Sequence, residues 1–401
     1  MNSRHMSKST RSGWVLGVVL LVACEPAAAP NPSLSTSSDS AGVAIVRGPA
    51  SDVALPWRFT EIRRIGGADS GAQAFDDVSE YRVRTNGDAM IAVLGDDSNA
   101  IHLFDSTGVV IRSVGAKGGG PGETEWPQGI DIQRDGAVTV FDLAKQAVVR
   151  WNAGGAVEPE RKLLPSTGRI WGAPRVRGDT VWAAIDASNV SDSTTTVRRL
   201  ERWTATDTVV LDSTVNAKPK MVMFKCVGLA LPPLFTGELT WTASDQRLAT
   251  THQSAYIVDI SQGNRRTHSI RRDIAPVAAR TTDASKLYPE GLKIRFGGSG
   301  QCITPSAEVG EKVGVAPTLP LIRNMVFAPD GALWVERYTF EGESPAVDVF
   351  DSQGRYLGTA AGRPLPLGFL GNDRLLFPIT NEDDGTRVIG IYRIERTVPR
   401  P

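Results

Sequence analysis

The feature that most constrains this chain of 401 residues is a unit of short apolar strands that recurs along most of its length. Each copy begins with a turn and a first apolar strand. A short polar break leads to a second strand, and an acid or amide followed by a glycine leads to a third. Six copies can be counted, at residues 86–115, 135–157, 178–211, 245–270, 330–359 and 372–394. Almost no stretch shows the 3.6-residue period of an amphipathic helix, so the pattern predicts an all-β fold.

A recurring turn shows how each unit is built. The sequences Phe104–Gly108 and Phe350–Gly354 nearly superimpose, and Trp151–Gly155 is a looser version. The Asp or Asn side chain is expected to cap a hairpin between the third and fourth strands, while the glycine takes a positive φ. Four-stranded sheets that repeat radially are β-propeller blades, and six copies predict a six-bladed β-propeller. A seven-bladed propeller and a two-sheet sandwich remain as alternatives.

The repeats also set the domain boundaries. We expect the propeller to span residues 42–396, with an insertion at about 271–320 and a short tail at 397–401. Two N-terminal strands, at residues 43–46 and 58–65, precede the first complete unit. Because an open sheet edge invites aggregation, both are expected to complete the last blade and close the ring.

The N-terminus has the features of an export signal. Arg4, Lys8 and Arg11 precede an apolar run of ten residues, Trp14–Ala23, which is too short to span a bilayer. The run ends in Leu21–Cys24, which resembles a bacterial lipobox. We therefore expect residues 1–23 to be a lipoprotein signal peptide. An ordinary signal peptide followed by a chance cysteine is the alternative.

The segment after the signal peptide predicts how the protein is attached. Cys24 would be the lipidated first residue, and residues 24–41, rich in Pro, Ala and Ser, would be a flexible linker. The membrane partner would then be contacted through acyl chains. Glu25, at the position after the cysteine, is not the aspartate that would suggest inner-membrane retention. This resemblance favours an exported lipoprotein of the outer membrane, facing the periplasm or the surface.

Composition excludes several classes of partner and cofactor. The chain has 44 Lys and Arg against 44 Asp and Glu, so no overall field favours nucleic acid. Three cysteines and four histidines leave few ligands for a Cys/His metal cluster. The sequence therefore predicts no nucleic-acid partner, no metal site and no cofactor.

One glycine-rich stretch carries a family resemblance. Gly115–Glu123, Trp126–Ile130, Val140–Asp142 and Val148–Trp151 together resemble the six-bladed β-propeller lipoproteins of bacteria, relatives of the NHL-repeat propellers. The resemblance extends more loosely over residues 43–396. It implies the propeller fold and an inter-blade connection at the glycine loop. It implies no activity, because that family largely lacks an assigned biochemical function.

The glycine loop is not a phosphate cradle, because Pro121–Gly122 stands where a P-loop needs Lys and Ser or Thr. In a propeller, however, such connections cross one face beside turns from neighbouring blades. Charged or aromatic residues in these loops are candidates for a ligand-binding face: Lys117, Glu123, Trp126, Asp142, Arg323, Glu336 and Arg337. The alternative is that they are solvated turn residues that pair with one another.

Two cysteines remain after lipidation. Cys226 and Cys302 lie in irregular segments that flank the fourth of the six copies, and the predicted compartment is oxidising. Their number and location predict a disulfide. Two free thiols are the alternative, and Cα atoms more than about 7 Å apart would exclude the bridge.

Two functions from different classes fit these observations. The first is a binding or scaffolding propeller that presents its loop face to a protein partner or a small polar ligand. The second is a metal-dependent propeller hydrolase, lactonase or lyase with its site in the central channel. His102, His252 and His268 do not neighbour a Gly-x-Ser-x-Gly elbow, so the sequence favours the non-enzymatic function. Three or more carboxylate, Asn or His side chains converging in the channel would favour the enzyme.

Overall fold

A computed structural model describes most of the chain: residues 34–67, 71–75, 78–79, 82–95, 98–163, 168–187, 195–244, 246–295, 301–380 and 385–396. The predicted signal peptide, Cys24 and the first part of the predicted linker lie outside these residues. Within them, no helix is both long enough and apolar enough to cross a membrane.

Six antiparallel sheets surround one central cavity, to which every sheet contributes its first strand. The strands of blades 1 to 3 are, in order, Val83–Thr85, Met90–Leu94, Ile101–Asp105 and Val110–Val114; Pro127–Ile132, Val138–Asp142, Ala147–Trp151 and Arg161–Lys162; and Arg169–Arg177, Thr180–Ala187, Thr195–Trp203 and Thr208–Ala217.

The strands of blades 4 to 6 are Thr240–Ala243, Arg247–Thr251, Ile257–Gln262 and Arg265–Arg272; Ile322–Phe327, Leu333–Arg337, Ala346–Phe350 and Tyr356–Ala361; and Gly368–Leu370, Arg374–Thr380, Arg387–Arg396 and Trp57–Ile65. The prediction of a six-bladed propeller is confirmed, and each of the six sequence copies falls on one blade.

Antiparallel pairing gives the propeller two faces. We call upper the face that carries the turns between second and third strands and the connections between blades. The lower face carries the turns between first and second strands and between third and fourth strands. The predicted capping turns lie on this lower face: Asp105 Oδ1 accepts the backbone N–H groups of Thr107 and Val109 at 2.8 and 3.0 Å, and Gly108 has φ 80°. Asp351 and Asn152 cap the equivalent turns of blades 5 and 2 in the same way.

Apolar side chains fill the space between neighbouring blades. All five residues of the second strand of blade 2, Val138–Asp142, are buried, whereas four of the five residues of the outer strand Val110–Val114 are at least partly exposed. Close packing also requires glycine at Gly129, which has φ 80° and where a Cβ atom would clash with the Pro174 carbonyl oxygen of blade 3. The hydrophobic core is therefore a ring of inter-blade layers rather than one central cluster.

The ring is closed by the strand Trp57–Ile65, which pairs antiparallel with Arg387–Arg396 and becomes the outer strand of blade 6. Ile65 is fully buried between blades 6 and 1, and Trp57 packs on Trp334 of blade 5 with ring centroids 5.9 Å apart. The prediction that the strand at 58–65 completes the last blade is confirmed.

The prediction for the other N-terminal strand, residues 43–46, is wrong. Val43–Gly48 pairs in parallel with Arg265–Arg272 on the edge of blade 4, not of blade 6. The chain then passes blade 5, where the Leu55 N–H donates to the Thr359 carbonyl at 3.0 Å, before it reaches blade 6. Residues 36–65 therefore form a belt along the outer edges of blades 4, 5 and 6, because residues 49–56 between the two strands carry the chain past the edge of blade 5.

The last part of the predicted linker is an ordered strand, so the linker is shorter than the sequence suggests. Thr36–Ser40 is an exposed strand that pairs antiparallel with Val43–Gly48. Ala41 and Gly42 both have positive φ, as a two-residue hairpin turn requires, and Asp39 accepts the Gly42 N–H at 3.1 Å. A Ser- and Thr-rich segment becomes ordered here because this turn folds it back onto a sheet edge.

Two inter-blade connections on the upper face form an additional layer. The hairpin of Lys220–Met223 and Gly228–Leu231 follows blade 3. The segment after blade 4, which coincides with the predicted insertion, contains the helices Ala284–Leu287 and Ser306–Val313, the hairpin of Leu292–Arg295 and Gln301–Thr304, and the 3-10 turn Thr281–Asp283. A further 3-10 turn, Gly71–Gln73, precedes blade 1. The two insertions share an apolar cluster that includes Phe235, Val309 and Phe340.

Candidate functional site

A cavity with a volume of about 670 Å³ occupies the lower end of the central channel of the described propeller. The first strand of every blade contributes to the lining, and in blades 1 to 5 the turn that follows this strand contributes as well. The cavity therefore depends on the closed ring, and no single blade could form it.

The charged side chains that line this cavity are strongly unbalanced. Among the described lining residues five are arginines, against a single carboxylate, Asp131; the arginines are Arg84, Arg134, Arg175, Arg177 and Arg247. Asp131 is buried, and its Oδ2 accepts the Gly178 N–H at 2.9 Å, so it also holds a turn. Like charges focused in a cavity with low-dielectric walls attract anions. We call this lining the arginine mouth.

Arg247 is held in place by two contacts. Its Nη1 donates to the Gly331 carbonyl of blade 5 at 2.9 Å, and its guanidinium lies 5.0 Å from the centroid of the Phe327 ring. Its Nη2 is buried and, among the described residues, has no hydrogen-bond partner. Burial lowers the pKa of this guanidinium, although Asp351 opposes the shift. A buried donor without a partner favours an acceptor arriving in the cavity.

The mouth has a second, apolar wall. The arginines come from blades 1 to 4, whereas blades 5 and 6 contribute Phe327, Leu367 and Phe369 to the same cavity. Leu367 and Phe369 are 7% and 5% exposed, so this wall is fixed by packing. The two walls together suit an organic anion, with its charged group on the arginines and its apolar part against the phenylalanines.

The lining does not suit a catalytic metal. The described residues around the cavity include Asp131 but no histidine or cysteine. Across the described parts of the chain, no three His, Cys, Asp or Glu side chains are grouped closely enough to hold a metal ion. The convergence of three ligands that would favour a metal-dependent hydrolase or lyase is therefore not provided by these residues.

The residues predicted as a ligand-binding face lie at the opposite end of the channel. In the glycine loop, Glu123 Oε2 accepts the Gly120 N–H at 2.8 Å, and Lys145 donates to the carbonyls of Gly120 and Glu123. Asp142 is fully buried and accepts the N–H groups of Glu125 and Lys145. Glu123 and Asp142 therefore fold the inter-blade connection, as the alternative of mutually paired turn residues expects.

The other five predicted residues are spread over the same upper face. Lys117, Trp126 and Arg323 are exposed, and Trp126 is 58% exposed. Glu336 and Arg337 follow one another at the end of the second strand of blade 5, where Arg337 pairs with Asp52 at 2.5 Å. The contacts of the described residues join Trp126 to Asp142 through the Trp126 N–H, but do not gather the seven into one cavity.

The structure pairs Cys226 with Cys302 as a disulfide. Their Cα atoms lie 6.3 Å apart, within the range that a disulfide can bridge. The pair links the two insertions of the upper face across 76 positions of sequence. The bridge therefore ties accessory layers together and lies on the face opposite the arginine mouth.

Sequence reasoning missed the arginine mouth because its members are far apart along the chain. Each arginine lies near the end of a first strand, at the start of a second strand or, for Arg134, in the turn that joins them. An alignment of the six copies on this turn would place Arg84, Arg134 and Arg177 within two residues ahead of Asn-Gly, Asp-Gly and Gly-Asp in blades 1 to 3. The equivalent positions of blades 5 and 6 have no arginine ahead of the turn.

Comparisons with known proteins give similarity of structure alone, since neither a family profile nor a curated protein matches this sequence. A solved structure from Bacteroides fragilis, described as an exported protein, is 11% identical with a TM-score of 0.47, over 88% of this chain and 99% of that one. The PQQ-bound aldose sugar dehydrogenase from Streptomyces coelicolor is 14% identical with a TM-score of 0.39, over 86% of this chain and 100% of that one.

The virginiamycin B lyase from Staphylococcus aureus is also similar, with 14% identity and a TM-score of 0.35, over 84% of this chain and 99% of that one. These similar proteins therefore include an exported protein and two enzymes. With identities and TM-scores this low, they carry no inference about what this chain binds or does.

Proposed function

We propose that this protein is a binding module that holds a small organic anion in the arginine mouth of its propeller. The observation that carries the proposal is the charge of the lining, five arginines against one carboxylate around a cavity of about 670 Å³. Charge-assisted hydrogen bonds from arginine to carboxylate, phosphate or sulfate are about twice as strong as neutral ones. The apolar wall of Phe327, Leu367 and Phe369 adds selectivity for ligands that are not purely inorganic.

Two of the arginines allow a clean test. Arg134 and Arg177 are both exposed at the rim, so their replacement should leave the blade cores intact. Purified protein would be titrated with benzoate, citrate and inorganic phosphate by calorimetry, with benzyl alcohol as the uncharged control. We expect the anions to bind, benzyl alcohol to bind weakly or not at all, and the variant Arg134→Gln/Arg177→Gln to lose about tenfold or more in affinity.

Arg387→Gln is the matched control, since Arg387 is exposed at the start of a third strand, on the upper side of blade 6. It should bind like the unaltered protein. Equal losses in both variants, or equal binding of anions and benzyl alcohol, would show that the mouth is not an anion site.

We also propose that the module is anchored by lipid at Cys24 to the outer membrane of a bacterial envelope. The support is the sequence pattern of residues 1–24 alone. In that setting the bound anion would be an envelope solute or a group presented by an envelope protein. The mass of the protein recovered from membranes tests the anchor, since processing predicts a chain that begins at a diacylated Cys24.

A further inference from the structure

One of the six inter-blade layers differs from the other five. Among the described residues, the other layers each contain between eight and thirteen buried apolar residues. The layer between blades 3 and 4 contains three, Leu200, Leu239 and Trp241. Its upper part is polar, where the buried Arg198 lies 3.5 Å from Glu238. The interface between blades 3 and 4 therefore has a smaller buried apolar core than the other five interfaces between blades.

A second cavity, of about 290 Å³, occupies the lower part of this interface. It shares five lining residues with the arginine mouth: Trp182, Ala243, Ser244, Gln246 and Arg247. The second cavity, which we call the side cleft, therefore adjoins the arginine mouth and lies between blades 3 and 4.

The side chains of the side cleft combine an apolar floor with a positive charge. Trp182, Leu211 and Leu248 are half-buried and line the cleft. They also pack against the three buried apolar residues of the layer between blades 3 and 4. Arg202 also lines it and is half-buried, and its side chain makes no hydrogen bond or ion pair with another described residue. The cleft thus has an apolar floor beside the polar side chains of Ser244, Gln246 and Gln262, and Arg202 adds a positive charge to it that is separate from the five arginines of the mouth.

We infer that the ligand is an elongated organic dianion, with one anionic end in the arginine mouth, an apolar middle over Trp182 and a second anionic end at Arg202. The inference rests on the proposed function and deepens it by naming the ligand class. The five shared lining residues place the two cavities next to each other, which favours one molecule that occupies both. The apolar floor disfavours a ligand that is charged throughout, and Arg202 disfavours one whose far end is a hydrocarbon.

A series of linear dicarboxylates tests this directly. Succinate, adipate, suberate and sebacate would be titrated into the purified protein, with octanoate as the single-ended counterpart of suberate. We expect affinity to rise with length, by up to about fourfold for each methylene buried. Suberate should bind at least about tenfold more tightly than octanoate, since it adds a charge-assisted contact to Arg202.

Variants separate the cleft from the mouth. Arg202→Gln should make suberate bind like octanoate, and Leu211→Ala should weaken the length dependence, while both leave succinate unchanged because neither residue lines the mouth. Trp126→Ala, an exposed tryptophan on the upper face, is the matched control and should change nothing. If Leu211→Ala does not fold, Arg202→Gln and Leu248→Ala still decide the question.

The two proposals fail in different ways. Binding of succinate and suberate with equal affinity, or no effect of Arg202→Gln on suberate, would overturn the side cleft and leave the anion site standing. Loss of affinity for every member of the series in Arg134→Gln/Arg177→Gln supports the mouth alone. Absence of binding by all dicarboxylates would overturn both.

Discussion

At the scale of single residues, one buried guanidinium joins the N-terminal belt to the propeller. Arg272, at the end of the fourth strand of blade 4, lies 2.7 Å from Asp348 of blade 5 and 2.9 Å from Asp52 of the belt. Its guanidinium also lies 4.5 Å from the centroid of the Tyr356 ring. Burial opposes the charge, yet Asp348 and Asp52 raise the pKa of Arg272 above its usual range. The contact links three parts of the fold that are distant in sequence.

Removal of the buried partner should therefore be costly. The side chains of Arg272 and Asp348 are both fully buried, so Asp348→Asn would leave the buried guanidinium with the half-exposed Asp52 as its remaining carboxylate partner among the described residues. We expect the free energy of unfolding to fall by about 3–5 kcal/mol. Asp52→Asn removes the half-exposed partner of the same arginine and should cost less than about 1 kcal/mol. Urea denaturation of both variants measures the difference, and equal losses would contradict a structural role for the buried pair.

A second residue-scale prediction concerns pH. Burial lowers the pKa of His102 in blade 1, where the ring Nδ1 lies 2.7 Å from the Ser113 hydroxyl. The unfolded chain therefore takes up this proton at a higher pH than the folded one, starting near the ordinary value of about 6.5. The stabilising contribution is complete above that value and is lost as the pH falls below it.

We expect the melting temperature to fall between pH 7.5 and pH 5, and to fall less steeply in His102→Gln. Scanning calorimetry of both proteins across this range provides the measurement. His252→Gln is the comparison, since His252 lies on a different blade and is more exposed. If His102→Gln and the unaltered protein had parallel pH profiles, the buried neutral imidazole would not be a source of the acid sensitivity.

At the scale of structural elements, the belt explains why the N-terminal strands are not equivalent. Trp57–Ile65 supplies the only fourth strand that blade 6 has among the described residues, and it buries Ile65 in the layer between blades 6 and 1. Val43–Gly48 instead adds to a blade 4 that already has four strands. The alternation of apolar and polar residues identified both segments as strands. It could not show which blade edge each strand joins, because a strand with this alternation can pair with the edge of either blade.

Truncation separates the two roles. A chain that begins at Pro49 loses the strands on blade 4, including the buried Val46, and should fold with a loss of about 2–3 kcal/mol. A chain that begins at Gly67 loses the outer strand of blade 6 and should not form a closed propeller. Size-exclusion chromatography and thermal melts distinguish these outcomes. A cooperative melt and monomeric elution of the shorter chain would contradict closure by this strand.

The same scale shows which features of sequence were informative. The hairpin turns at Asp105 and Asp351 were predictable because one side chain and one glycine decide each turn locally. The strand at Thr36–Ser40 was not, since it is polar and fully exposed and depends on the turn at Ala41–Gly42. The candidate ligand-binding face on the upper side was predicted from the charged and aromatic residues of its loops. In the structure, Glu123 and Asp142 use their carboxylates to hold the loop in shape.

At the scale of the whole molecule, the repeats predicted the ring, but the chemistry of its channel depends on which positions the ring brings together. Arg84 and Arg247 are separated by most of four blades, and nothing local in the sequence relates them. The overall charge balance hides the local excess, because the acids lie elsewhere. Asp179, for example, pairs with Arg161 and Asp330 with Arg396. An arginine-rich channel in a chain of zero net formal charge is therefore a product of topology.

Localisation of a bound anion tests this account most directly. Crystals of the protein would be soaked with 4-bromobenzoate, and the bromine would be located by anomalous scattering. The account predicts the carboxylate within hydrogen-bond distance of the arginine mouth and the bromine beside Phe327 and Phe369 or in the side cleft. Bromine sites confined to the upper face around Lys117, Trp126 and Arg323, with an empty channel, would contradict it.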